Sequence, residues 1–305
     1  MAANWMRRSL MVAACASAAL LAACGSSTTE SAISPQRMIA FGDGMSDVGQ
    51  KGTRYTVNDG SVNNWTLQVA SGYGKTLAAS SAGGKSYAAG NARIVAKPDA
   101  AGSNTTLTVK EQIDSFLASN TFTGDDLVMI NGGISDVIAN MATVNAGTMT
   151  TEQMITASRQ AGTDFAAQIR RLVNAGAKHV LLVGVYPLGL SPYGAASGQV
   201  TNLTNITLAF NNALKLSVVD LGYNVLYLDS ANYYGNVYYT PTNYAPLNNS
   251  TTIACTTVLV TECTPATITP GYDYNTLLYA SGFYFTPTAH RLLGNYGKTQ
   301  ISNRW

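Results

Sequence analysis

Charge is what this sequence has least of. Asp, Glu, Lys and Arg make up 11% of its 305 residues, against roughly 25% in an average soluble domain, so no basic surface suited to nucleic acid is expected. Histidine is scarcer, with two residues. With no HExxH or HxxEH pair, and too few ligands beside the cysteines, neither a catalytic nor a structural metal is expected. No GxSxG elbow, P-loop or CxxC is present, and no cofactor is implied. Nor does any apolar run reach the roughly 20 residues of a membrane-spanning helix. What the chain does have is apolar mass: it is 46% hydrophobic, enough for one large domain or two small ones with a sizeable core.

The first residues carry their own signature. Arg7 and Arg8 precede a short apolar stretch, 10–23, which ends at Leu21-Ala22-Ala23-Cys24. A positive start, a short apolar middle and a small-residue end mark a secretory signal. The last four residues resemble a bacterial lipobox, which implies cleavage before Cys24 and a lipid on it. Gly25 in place of Asp resembles lipoproteins sorted to the outer membrane. The expected organisation is a signal at 1–23, a lipid-anchored tether at 24–36 and one domain at 37–305. Without Arg7 and Arg8 the balance is 16 basic against 16 acidic residues, so long-range steering by net charge is not expected. Cys15 leaves with the signal and Cys24 takes lipid. Cys255 and Cys263 remain, and in an oxidising compartment they are expected to form one disulfide across a Thr-rich loop.

Along the domain, short apolar runs alternate with amphipathic stretches. Strands are predicted at 38–41, 126–130, 180–185 and 224–228. Helices are predicted at 63–72, 109–117, 151–175, 203–221 and 287–301. Such alternation argues for a parallel sheet covered by helices on both faces, an α/β/α architecture. Ligands in such sheets sit beyond the carboxyl ends of the strands, where Gly42-Asp43-Gly44 and Gly132-Gly133 fall.

Five segments, in order, carry a family resemblance. MIAFGDGMSDVGQ (38–50) resembles the FGDSxSDxG block of the SGNH, or GDSL, ester hydrolases. YAAGNA (87–92) is similar to the second block and INGGISD (130–136) to the third, GxND. AGAKHVLLVGVYPLG (175–189) resembles the strand that trails Pro-Leu-Gly, and ASGFYFTPTAHRLLGNY (280–296) the terminal ADGVHPTxxxHRLL block. The resemblance spans essentially the whole domain and implies a single-domain, flavodoxin-like α/β/α fold and acyl-transfer chemistry. Yet the positions that would do that chemistry are altered. The family's nucleophilic serine falls on Gly44 and its oxyanion asparagine on Ser135. The aspartate falls on Ser281 and the histidine on Tyr284, and the second-block glycine is either Gly90 or Asn91.

Acyl transfer needs a nucleophile, a base and donors for the oxyanion. Gly44 has no side chain, and a tyrosine of ordinary pKa is a poor base at neutral pH. Ser46 is the one serine left in the first block and the alternative nucleophile, although turn duty explains it as well. Ser135 is a further alternative. His179 and His290 are weak candidates for a base. Turn and cap duty accounts for Asp43, Asp47 and Asp136. Of 17 tyrosines, 12 lie between Tyr223 and Tyr296. They suit a sugar-binding surface, or simply half-buried packing under polar loops.

Three functions follow as expectations. The first is a non-catalytic lipoprotein that holds a small acyl, acetylated or glycan ligand through Asp43, Gly44, Gly90, Asn91, Ser135 and Tyr284. The second is an esterase working through Ser46 or Ser135. The third is a structural envelope protein.

Overall fold

The computed structural model describes residues 33–305; the signal, the lipobox and Cys24 lie outside the described residues. Four strands, β1 (Arg37–Phe41), β2 (Asp126–Asn131), β3 (His179–Val183) and β4 (Val225–Leu228), pair in parallel in that order. Their sequences are near-continuous apolar runs, and every residue of β2 is buried. A strand can read that way only where both faces of its sheet are covered.

Two helix pairs provide the cover. Helix α1 (Trp65–Gly72) packs against the last helix, α8 (Pro287–Arg304). Between them in sequence come α2 (Val109–Leu117), α3 (Ile134–Asn145), α4 (Thr151–Asn174), α5 (Pro192–Ser197), α6 (Val200–Ser217) and α7 (Ser230–Tyr239), and α4 packs along α6. The contacts are close because glycines permit them. On α8, Gly297 faces Leu181 of β3, Leu228 of β4 and Val69 of α1, while Gly162 of α4 lies against the backbone of Phe210 on α6. Helices α2 and α4 each begin with a capping box, Thr108 with Glu111 and Thr150 with Gln153, which satisfies two orphan N–H groups at each start.

A short bridge adds to the free side of β1. Tyr87 N donates to the Ala40 carbonyl at 2.7 Å and Ala40 N to that of Lys85 at 3.1 Å. With this segment counted, the chain steps to one side of β1 first and to the other afterwards. The strand order therefore reverses between β1 and β2, and the crevice beyond their carboxyl ends is the switch point where ligands bind in open α/β sheets.

A second, smaller layer covers that end. Strands β5 (Asn249–Ile253) and β6 (Leu277–Tyr279) pair in parallel, and the expected Cys255–Cys263 disulfide is formed. Val57, Cys255, Val260, Cys263, Leu277 and Tyr284 gather in an apolar cluster apart from the main core. Asn58 ties the two parts together, its side chain and backbone N–H both donating to the Cys263 carbonyl. No helix among the described residues is long and apolar enough to cross a membrane.

Candidate functional site: a buried frame under a tyrosine cover

Beyond β1 the chain turns sharply. Gly42 has φ +143°, and a Cβ there would lie 2.2 Å from Asn131 Oδ1, so only glycine fits. Buried Gln112 of α2 accepts from Gly42 N at 2.8 Å and donates to Gly42 O at 2.9 Å. Asp43 closes the turn. Its Oδ1 accepts from Met45 N at 3.0 Å and from Asn131 Nδ2 at 2.7 Å, while its carbonyl accepts from Ser46 N and Asp47 N. The other carboxylate oxygen, Oδ2, is buried with no partner among the described residues. Burial outweighs those bonds and pushes the Asp43 carboxyl up to about 6.

Ser46, the alternative nucleophile of the sequence, lies at the centre of this frame. It is fully buried, its hydroxyl donating to Asn131 Oδ1 and accepting from Trp65 Nε1 at 3.0 Å. A continuous path, Trp65–Ser46–Asn131–Asp43, thus joins α1, the β1 turn and the end of β2. Its proton is thus committed to Asn131, and the side chain has no solvent exposure. Asp47 is likewise occupied: its carboxylate accepts from Gly49 N and Gln50 N at 2.8 Å and from Gly90 N at 2.9 Å. In Asp136 the partners are Arg93 and Ile94 N. All three aspartates therefore organise loops, as turn duty requires.

Above the frame the site is roofed. A Cβ on Gly44 would lie 2.7 Å from the Tyr284 hydroxyl and 2.9 Å from a ring atom each of Tyr284 and Tyr55. The space that a serine side chain would enter at this position is filled by two aromatic rings, whose centroids are 5.0 Å apart. Tyr55 also lies directly on Gly90, where a Cβ would come within 1.9 Å of the ring tip. This separates the two readings of the second block: Gly90 is the position of close approach, whereas Asn91 takes a left-handed φ of +64° and donates from Nδ2 to the Tyr55 hydroxyl at 3.3 Å. The N–H of Gly90, one of the residues expected to hold a ligand, is taken by Asp47.

Burial keeps both tyrosines protonated. It pushes the Tyr55 phenol up to about 12 and holds Tyr284 well above the ordinary tyrosine range, with the Asp43 charge acting the same way. Neither can take a proton at neutral pH. Ser135 is buried at the start of α3. His290 lies buried against Phe285 with neither ring nitrogen partnered among the described residues, and burial depresses it to about 3. His179 packs edge-on against Trp305 at the amino end of β3, the far end of the sheet.

Two grooves remain open beside the roof. One, of about 340 Å³, is lined by Tyr55, Tyr87, Gln50, Lys51 and Thr106. The other, of about 370 Å³, is lined by Asn91, Leu259, Ser281, Phe283 and Tyr284, again with Tyr55. Thr261 of the disulfide loop also borders both. Of the residues expected to hold a ligand, Asn91 and Tyr284 thus reach a groove, and Gly90 borders the other. Asp43, Gly44 and Ser135 line neither. Sequence reasoning missed Asn131 and Tyr55. The first was legible only as a strand end, and nothing near Tyr55 marks it as a roof.

Half of the late tyrosines pack on one another, Tyr233 with Tyr234, Tyr244 and Tyr296, and Tyr238 with Tyr239. Tyr233 stacks on Tyr296, and Tyr234 stacks on Phe285. This is the packing role, and the same burial raises Tyr233 and Tyr234. Among the described residues no cluster of three or more His, Cys, Asp or Glu side chains could hold a metal.

A search of curated proteins finds no match. The family model for GDSL-like lipase/acylhydrolase matches residues 38–296, covering the β1 turn, the third block and the helix that carries His290. The chain belongs to the GDSL-like lipase/acylhydrolase family.

Proposed function

We propose that this chain is a non-hydrolysing member of its family, lipidated at Cys24, held at the outer membrane of a bacterial envelope, and binding a small acyl, acetylated or glycan ligand. The observation that carries the reading is the pair of tyrosine rings standing where the side chain of residue 44 would project. No side chain is present at residue 44, Ser46 is held in the frame, His290 is buried with its basicity depressed, and His179 lies at the far end of the sheet. Binding is supported by the two grooves. Each is within the size range of small-molecule sites, roughly 300–1,000 Å³. One offers aromatic faces with amide and hydroxyl groups, suited to a sugar; the other is more apolar, suited to an acyl chain.

The closure over Gly44 also suits a purely structural envelope protein, which would show no saturable ligand. The test uses residues 25–305 without lipid, assayed on short p-nitrophenyl esters beside a Ser46→Ala variant and a competent esterase. A rate equal to buffer is expected. Turnover of even about 1 s⁻¹, the low end for enzymes, would overturn the reading, and its loss in a folded Ser46→Ala protein would make Ser46 the nucleophile.

A further inference from the structure

The near-zero net charge conceals a segregated surface. The end of the sheet opposite the grooves, where all four strands begin, collects cations. Lys75 and Lys85 border one groove there beside Gln36 and Arg37. Lys178 and Arg304 border a second with His179 and Tyr223. Among the described residues none of these four cations pairs with an Asp or Glu side chain. The carboxylates at this end are largely matched already, Asp126 by Arg37 and Asp220 by Arg170.

Beside the cations, three large apolar residues project into solvent at intervals of three and four: Leu216 is 75% exposed, Val219 77% and Tyr223 83%. They close α6 and the turn leading into β4. Clustered exposed apolar side chains mark an interaction surface, and cations around an aliphatic and tyrosine patch match the headgroup layer of an anionic bilayer. The described chain also enters at this end: Gln36 N donates to the Asp125 carbonyl at 2.8 Å, immediately before β1 and β2 begin. Any lipid carried at Cys24 is therefore tethered to the same end.

We infer that the amino end of the sheet is a docking surface for anionic lipid headgroups, which stands the molecule with its grooves turned away from the bilayer. The orientation rests on the lipidated reading of Cys24; the surface does not, and is tested without it. The chain 25–305, lacking lipid, should co-sediment with vesicles of phosphatidylethanolamine and phosphatidylglycerol but not with phosphatidylcholine alone, and salt should release it. Lys75→Glu and Lys178→Glu should each weaken binding about fivefold or more. The triple variant Leu216→Ser, Val219→Ser, Tyr223→Ser should remove the remainder, with thermal unfolding unchanged.

Failure to bind anionic vesicles, or equal binding by the charge-reversed variants, would overturn the inference. So would a concentration-dependent dimer lost in the triple variant, which would assign the patch to a second copy. Labelling of the full-length protein with a radioactive fatty acid, beside Cys24→Ala, tests the anchor separately.

Discussion

The frame under Gly44 and the cover above it have parted ways within a few ångströms of each other. Below, Asp43, Ser46, Asn131 and Trp65 form a closed hydrogen-bonded path whose parts come from β1, β2 and α1. Above, Gly44 and Gly90 meet the rings of Tyr55 and Tyr284 chiefly by shape, glycine against ring. The frame holds the sheet's switch point together whether or not chemistry happens there. The cover decides whether anything can reach it. The demands of folding can therefore account for most letters of the motif without reference to the side chain at residue 44.

The largest expected effect lies in the frame. Trp65 is buried completely, and Trp65→Ala leaves both a cavity and a Ser46 hydroxyl without its donor. A loss of about 3–5 kcal/mol is expected for such a truncation, read from the urea midpoint with an unchanged m-value. Tyr55→Ala, in the half-buried cover, should cost clearly less. Equal losses at the two positions would erase the distinction between frame and cover.

Next comes the charge within the frame. Asp43 has its folded pKa raised from 3.8 to about 6, so the folded chain binds more protons than the unfolded one between those values, and stability from this group falls as pH rises through that window. At about 1.36 kcal/mol per unit, the ionised form costs on the order of 3 kcal/mol at neutral pH. His290 has the opposite slope. Its pKa is lowered from 6.5 to about 3, so the unfolded chain takes up the proton first and stability falls as pH drops through that window. Asp43→Asn keeps an acceptor at Oδ1 and should remove the first slope while leaving the second, which is checked by urea unfolding between about pH 4 and 7. Destabilisation of this variant at pH 7 would mean that the carboxylate charge itself has a role that the frame does not require.

The sheet was legible because its strands are buried on both sides and read as unbroken apolar runs. Helices α2 and α4 were legible from their periodicity. Helix α3 was not: it starts at Gly133, with φ +106° and no side-chain cap, and its opening letters read as a turn. Helix α7, SANYYGNVYY, is rich in tyrosine and asparagine and low in helix propensity, so packing against the rest of the protein decides it. Strand β5, Asn-Ser-Thr-Thr-Ile, lacks the apolar signal altogether. In the site, the missing serine, aspartate and histidine could be read from the letters. Tyr284 could also be read at the histidine position, but its meeting with Tyr55 over Gly44 could not, because the two lie 229 positions apart and meet only once the disulfide loop and the turn after β6 are folded.

The smallest effect is the most discriminating. Gly44 does not have a left-handed φ, so nothing in the backbone forbids a side chain there; the nearest obstacles are the Tyr284 hydroxyl and the two ring edges. Gly44→Ser should therefore cost about 1–3 kcal/mol as overpacking. Much of that cost should vanish when the substitution is made in a Tyr284→Ala background, giving a coupling free energy in a double-mutant cycle. Neither protein should hydrolyse p-nitrophenyl acetate, since no base faces residue 44 in either. A Gly44→Ser protein that is as stable as its parent would mean that the rings move aside freely. In that case the cover is a door rather than a roof, and the crevice at the switch point becomes as available to a ligand as the two grooves beside it.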